Sequence, residues 1–360
     1  MKEKVVLALS GGVDSLSVAL FLREEFDVIG LHLHTYGDKE DLTLLQEACT
    51  RFSVPLYVED VRKDFRYKVI EKVKQEYIAA RTPNICTHCN AELKIPALLS
   101  FADKMNIRYV ATGHYARLVR NGNNHFIRMA KDRWKDQSYM LYRLSREQRS
   151  RLLLPLGERL KQDVKRYAAE NGLHDVAAQR ESYGLCFTEG KSYSEFLREE
   201  LPEVETLSGG KVIDERGNKV GTHNGYPFYT IGQWKGLNTT EKLYVCKLIP
   251  QSNTIIAGKK EECFAKHLHL KDIHIHQMEK VLSFSSQQRF LIKIRGKDEG
   301  TFGSIYMTGN NDKTIDTMQI PESIRIDFEQ PVFAPMAGQD AVVYDGQDTI
   351  VLGGTIAPML

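Results

Sequence analysis

The residues of this chain with the types and spacing for chemistry fall in two groups: a turn, Ser10-Gly11-Gly12-Val13-Asp14-Ser15, and three cysteines, Cys86, Cys89 and Cys186. Two adjacent glycines let a backbone approach a phosphate, and the free N–H groups and positive end of a helix that follows them attract its charge. Ser10 and Ser15 add hydroxyl donors. The turn lacks the lysine of G-x-x-x-x-G-K-[ST], which excludes the loop that delivers a γ-phosphate. A carboxylate at Asp14 would repel a phosphate unless a Mg²⁺ ion lay between them. Thiolates are nucleophiles, sulfur carriers and metal ligands. Cys86 and Cys89 have C-x-x-C spacing after Pro83-Asn84, and Cys186 sits in Gly184-Leu185-Cys186-Phe187. Buried, inert cysteine is the plain alternative for each.

Positioning these groups takes a particular order of elements. Val5-Val6-Leu7-Ala8-Leu9 reads as a buried parallel strand running into the turn, and Leu16 to Glu25 as the helix leaving it. The pattern continues with a strand over 28–33, a helix over 41–52, a strand over 56–60, a helix over 63–80, a helix over 91–105 that Pro96 kinks or limits, and a strand over 109–112. Such alternation indicates a doubly wound parallel sheet with its ligand at the carboxyl ends of the strands, which places Gly113 and the end of the second strand beside the nucleotide. Residues 81–90, with two of the cysteines, read as a loop. Helical patterns recur over 162–171 and 192–200. From about Thr206 short β segments alternate with turns such as Ser208-Gly209-Gly210 and His223-Asn224-Gly225, and a second β-rich block starts near Lys266. The expected fold is α/β: a doubly wound nucleotide-binding domain, residues 1–205, followed by two small β-rich, barrel-like domains, 206–265 and 266–360. The pattern leaves open whether the two β blocks are separate barrels or one module.

A chain of 360 residues can bury two or three cores. No apolar run approaches the ~20 residues of a membrane span. Met1-Lys2-Glu3-Lys4 runs straight into the first strand, so a cytoplasmic protein with no membrane partner is expected. Six cysteines in a reducing compartment argue for metal, redox or sulfur chemistry rather than a disulfide framework. The net charge of +2 decides little, but Tyr115 to Arg151 carries ten Lys plus Arg against three Asp plus Glu. Such a segment suits a nucleic-acid backbone, and equally a solvated basic surface.

Ser-Gly-Gly-Val-Asp-Ser resembles the pyrophosphatase-type loop of enzymes that split ATP between its α and β phosphates and adenylate a substrate. With Arg81 to Asn84, Cys89-Asn90, Ala111 to Tyr115, Lys135 to Tyr142, Gly184 to Phe187 and Gly232 to Leu237 added in order, the chain resembles the tRNA-specific 2-thiouridylase family. These enzymes replace oxygen by sulfur at C2 of the wobble uridine. The resemblance implies ATP and Mg²⁺ at Ala8, Leu9, Ser10, Gly11, Gly12, Val13, Asp14 and Ser15, with further nucleotide contacts from Leu33 and Gly113. It implies a persulfide on Cys186, with Cys89 as its partner and a Cys89–Cys186 disulfide formed as the product leaves. It also implies a persulfide sulfur donor or relay protein, and contacts to the anticodon arm of tRNA from Asn84, Lys135, Asp136 and Gln137. Leu33 in isolation would read as core.

The chain departs from the family at three places. Ile85 and Cys86 follow Asn84 where the family reads Pro-Asp, an aspartate considered a proton-transfer group; Trp234 replaces an arginine; and the stretch from Lys293 to Gly296 is altered. Cys86, Cys89 and Cys186 together could hold three irons of a [4Fe–4S] cluster and leave the fourth open to sulfide. The resemblance requires only Cys89 and Cys186, so the metal-free persulfide route is the expectation and the cluster its alternative. Two other classes compete: a small-molecule adenylating ligase or amidotransferase with the same loop, which needs neither cysteine, and a non-catalytic RNA-binding or zinc-stabilised protein that keeps the nucleotide fold, whose zinc would need four ligands where Cys86, Cys89 and Cys186 or His88 are on offer.

Overall fold

The computed structural model describes residues 2–38, 40–179, 184–188, 190–284, 288–308 and 321–358. Residues 181–183, which lead into Cys186, lie outside the described residues. The chain packs as two compact units: Met1–Val69, Ile85–Phe187 and Gln347–Ile350 form one, and Ile70–Asn84, Thr188–Gly346 and Val351–Leu360 the other.

The first unit is built on a parallel sheet of β1 (Glu3–Ala8), β2 (Phe26–His34), β3 (Leu56–Asp60), β4 (Tyr109–Ala111) and the two-residue β7 (Leu152–Leu153), in the order β3-β2-β1-β4-β7. Central β1 is covered on both faces, so Val5, Val6 and Leu7 are wholly buried, and this is why the strand reads as an unbroken apolar run. α1 (Val13–Leu22) and α8 (Lys161–Glu170) pack together, with Phe21 stacked on Tyr167 at 4.4 Å between ring centroids. Between β4 and β7 a hairpin of β5 (Ala116–Asn121) and β6 (Asn124–Met129) turns at Gly122, where φ is +58°.

The helix expected over 63–80 is α3 (Arg62–Phe65), a π-helical stretch Arg66–Ile70 and α4 (Glu71–Ile78). The expected loop over 81–90 is corrected by the structure: Cys86 and Cys89 lie on a helical turn, α5 (Ile85–Cys89), continuing through a π-helical stretch Asn90–Lys94 into α6 (Ile95–Lys104). Pro96 explains the widening. It has no N–H to give the carbonyl four residues back, so the Glu92 carbonyl accepts from Lys68 Nζ at 3.0 Å instead. The neighbouring Ala91 carbonyl accepts from Gln148 Nε2 at 2.8 Å, and Ile95 N–H reaches Asn90 O, five residues back. Proline here widens the helix rather than ending it.

The second unit holds two β structures. An open sheet has the order β10 (Asn238–Thr239), β9 (Lys219–His223), β8 (Gly210–Ile213), β12 (Thr254–Gly258), β11 (Tyr244–Ile249), around Val212, Tyr229, Val245 and Ile255. The other is a closed barrel of β13 (Phe264–Ile275), β16 (Ser323–Phe333), β15 (Thr301–Thr308), β14 (Phe290–Lys293), β17 (Asp340–Tyr344) and β18 (Ile350–Ile356), which leaves no open edge. Arg81-Thr82-Pro83-Asn84 belongs to this unit: Arg81 makes a two-pronged pair with Glu76, and Thr82 N–H donates to Ala337 O at 2.8 Å.

Candidate active site

β1 ends at Ala8, and buried Leu9, then Ser10 and Gly11, lead to Gly12, the N-cap of α1. Gly11 has φ +76°, which a side chain would strain. Gly12 offers no side-chain acceptor to the first turn of α1, and an anion can supply it. The loop is folded on itself by its serines: Ser15 Oγ donates to Gly12 O at 3.0 Å and accepts from Ser10 N–H at 3.2 Å. Buried His32 holds the Leu9 carbonyl through Nδ1 at 2.7 Å. Leu33, half-buried near the carboxyl end of β2, lies two residues beyond Leu31, the partner of Ala8.

Asp14 and Val13 open α1, and the Asp14 carboxylate is clamped. Lys161 Nζ donates to Oδ1 and Oδ2 at 2.6 Å each, and Tyr115 Oη donates to Oδ1 at 2.9 Å. Lys161, at the start of α8, is 8% exposed, and its ammonium also lies 5.6 Å from the centre of the buried Tyr115 ring. Tyr115 is fixed by Gln137, whose Oε1 accepts from Tyr115 N–H at 3.0 Å and whose N–H donates to Tyr115 O at 2.7 Å. Sequence reasoning passed over Lys161. The available signal was a lysine at a helix N-terminus, where the dipole disfavours a cation.

Gly113 joins this loop to the cysteines. A Cβ there would lie 3.2 Å from Ser15 N and 3.3 Å from Asp14 Cβ, so the end of β4 touches the loop only because residue 113 is glycine. Next to it, His114 Nε2 is 3.4 Å from Asn90 Nδ2 and Nδ1 is 2.8 Å from Thr112 Oγ1. An amide nitrogen only donates, so Nε2 accepts and the proton of the neutral ring sits on Nδ1. Burial, with a smaller effect of Lys94, pushes His114 down to about 3. Asn90 directly follows Cys89. Contacts therefore run from Asp14 and Ser15 through Gly113, His114 and Asn90 to Cys89, all inside the first unit.

Cys86, Cys89 and Cys186 come close enough that the charge of Cys186 raises the other two thiols. Cys89 is pushed up to about 11, chiefly by burial. The same cause raises Cys86 and Cys186, whose residues keep exposed surface while their sulfurs are crowded. Lys94 opposes the rise at all three. On an α-helix a residue five positions on lies roughly 140° around the axis, whereas an i→i+5 turn brings it back above the first. The π stretch thus sets Lys94 over Cys89, a placement no reading based on α periodicity would find.

The RNA-facing candidates divide. Asn84 is half-buried in the second unit, its N–H donating to Gly338 O at 3.4 Å. Lys135 and Gln137 are half-buried in the first. Asp136 is 8% exposed; Oδ1 accepts from Ala130 N–H at 2.9 Å and Ser138 N–H at 3.2 Å, and Oδ2 from Ser138 Oγ at 2.9 Å. Its carboxylate thus pins the turn that presents Lys135.

The loop fits a polyphosphate: donors at a helix start, a left-handed glycine, and a glycine contact at residue 113 that any side chain would disturb. A Mg²⁺ ion would take Asp14 oxygens now held by Lys161, with phosphate and water completing its shell. Among the described residues no three His, Cys, Asp or Glu side chains are grouped to hold a single metal ion. No helix among the described residues is long and apolar enough to cross a membrane.

Residues 3–190 match the family described as tRNA methyl transferase HUP domain, 194–259 the tRNA methyl transferase PRC-barrel domain, and 265–357 the aminomethyltransferase beta-barrel domain. The tRNA-specific 2-thiouridylase of Cytophaga hutchinsonii is 35% identical over 372 residues, covering 98% of this chain and 96% of that one. That of Salinibacter ruber is 35% identical over 374 residues, covering 98% and 94%. One from Phocaeicola vulgatus is 36% identical over 360 residues, covering 98% and 97%. Similar to these enzymes along nearly its whole length, the chain belongs to the tRNA-specific 2-thiouridylase family.

Proposed function

We propose that the protein thiolates C2 of the wobble uridine of tRNA in an ATP-dependent reaction, with residues 1–205 as its catalytic domain and 206–265 and 266–360 as its β domains. The observation that carries this reading is the contact path from Asp14 through Gly113, His114 and Asn90 to Cys89. Methyl transfer, which the matching domain descriptions name, needs no cysteines beside a pyrophosphatase-type loop.

In this reading the uridine C2 oxygen attacks the α-phosphorus of ATP and pyrophosphate leaves, with Mg²⁺ offsetting the phosphate charge. The loop donors of Ser10 to Ser15 and the ammonium of Lys161 hold the departing charge. The terminal sulfur of a Cys186 persulfide, charged by a donor or relay protein in the cytoplasm, attacks C2 and displaces AMP. Cys89 thiolate then attacks Cys186 Sγ, releasing 2-thiouridine and leaving a Cys89–Cys186 disulfide that a thiol reductant reopens. Leu33 and Gly113 border the nucleotide. Asn84, Lys135 and Gln137 position the anticodon arm, and Asp136 acts through Lys135. No step runs through an iron–sulfur cluster; iron analysis of anaerobically purified protein tests that alternative.

The deciding experiment supplies tRNA transcript, ATP, Mg²⁺ and a persulfide-generating donor, and analyses the nucleosides by mass spectrometry. The expected product is 2-thiouridine at the wobble position, in step with AMP formation. AMP and pyrophosphate released at full rate without RNA would instead identify a small-molecule ligase.

A further inference from the structure

Trp134 stays 89% exposed, although indole is among the side chains that gain most by leaving water. It is not on a loose tail. The turn that carries it is pinned by the buried Asp136 carboxylate, by Lys135 N–H donating to Asp132 O at 3.1 Å, and by an ion pair between Arg133 and Asp348. Trp134 lines a cleft of ≈ 470 Å³ with Asp132, Lys135, Leu160, Lys161, Gln162 and Lys165, and the Asp132 carboxylate accepts from Lys161 N–H at 2.9 Å. The ammonium of Lys161, at the same cleft, holds Asp14 of the phosphate loop. A rigid aromatic face beside several cations is what a flexible polyanion with planar rings requires: bases stack on the ring and phosphates meet the lysines. Because the turn is already ordered, little ordering entropy is left for binding to cost.

We infer that Trp134 is a stacking platform for an unpaired base of the tRNA, with Lys135 and Lys165 meeting the phosphates on either side of it. This rests on the tRNA reading above and adds a base contact to it. The adenine of ATP is the rival occupant. RNA is favoured because the cleft carries lysines beyond the one that reaches the phosphate loop, as a strand continuing past one base requires.

The chain has two tryptophans, Trp134 and Trp234, so Trp234→Phe leaves Trp134 as the sole indole reporter. In that protein, addition of tRNA transcript should quench the emission, saturating at the Kd measured independently by filter binding. Saturating ATP alone should leave it unchanged. Trp134→Ala should weaken tRNA binding about 10-fold, the loss of one stacked base, while Trp134→Phe recovers most of it. Quenching by ATP alone would overturn the assignment to RNA. Normal tRNA binding with unaltered emission, or by Trp134→Ala, would overturn the inference and leave the thiouridylase reading standing. Failure of the unaltered protein to bind tRNA would overturn both.

Discussion

Asp14 and Cys89 are joined by a short path of contacts, yet their surroundings are opposite in kind. Around Asp14 charge meets charge: an ammonium at 2.6 Å from both carboxylate oxygens, a phenol at 2.9 Å, and Gln137 holding that tyrosine. Around Cys89 the largest influence is the loss of water, which pushes the thiol up to about 11 against the pull of Lys94. The first region is an assembled electrostatic device, organised before any ligand arrives. The second keeps its sulfurs protonated at neutral pH, a resting form that resists unwanted oxidation and disulfide exchange. In the proposed reaction the difference would prepare the two halves differently: adenylation by positioned charge, sulfur transfer by withheld reactivity that a more acidic persulfide would release.

The largest test of this contrast removes the sulfurs. Cys89→Ser and Cys186→Ser should each lower tRNA thiolation by at least ~10³-fold while tRNA binding changes less than about twofold, read by nucleoside mass spectrometry and filter binding. Residual thiolation near the normal rate would take the chemistry away from the second region altogether.

Next comes the charged clamp. Asp14→Asn should slow tRNA-dependent pyrophosphate release by roughly 10²–10³-fold with tRNA binding intact. Lys161→Met should lose comparable activity and also stability, because it leaves a partly buried carboxylate uncompensated. A cost of about 2 kcal/mol corresponds to ~5 °C in Tm for a unit of this size. An active Lys161→Met protein would show the clamp to be structural only.

A smaller effect is expected at Lys94. A positive charge lowers a thiol, so Lys94→Met raises all three cysteines further, and at any pH below about 11 less of Cys89 is thiolate. Alkylation of Cys89 should speed up with pH from neutrality toward that value in the unaltered protein, and run roughly severalfold slower at pH 8 in the variant. An unchanged pH profile would mean that Lys94 does not tune the thiols.

The smallest change is at the edge of the first region. Lys135→Ala should weaken tRNA binding by a few-fold and reduce the slope of log K against log salt by about one, since one phosphate contact is lost. ATP binding should be unaffected.

The loop, its strand and its helix are readable in the sequence because strand burial, glycine geometry and helix polarity all act within one continuous stretch, Glu3 to Leu22. The parallel order of the sheet followed from the alternation of elements. What resisted reading depends on contacts far apart in sequence or on a change of helical pitch. Lys161 meets Asp14 across most of the first unit, and nothing local to either announces the pair. Asn90 meets His114 in the same way. The helical state of Cys86 and Cys89 was hidden by Pro83 and Pro96, which as local signals argue for a break. Lys68 and Gln148 make the widened helix tenable by taking two of its carbonyls, and both come from other elements. The β5–β6 hairpin, by contrast, carries a local signal, Asn121-Gly122, inside a segment whose most conspicuous property is its basic charge.

The widened turn at Asn90–Lys94 also bears on heredity. A wide turn takes up one residue more than an α turn while keeping the helix in phase on its two sides. An in-frame loss of a single codon there would close the turn to α pitch and keep both cysteines, their spacing and the buried face of α6 with Leu98 and Ala102 in register, at the cost of the wide turn alone. Point substitutions along the same stretch leave the wide turn in place. The length of this helix is therefore a trait a lineage can change by one residue and still aim Cys86 and Cys89 as before.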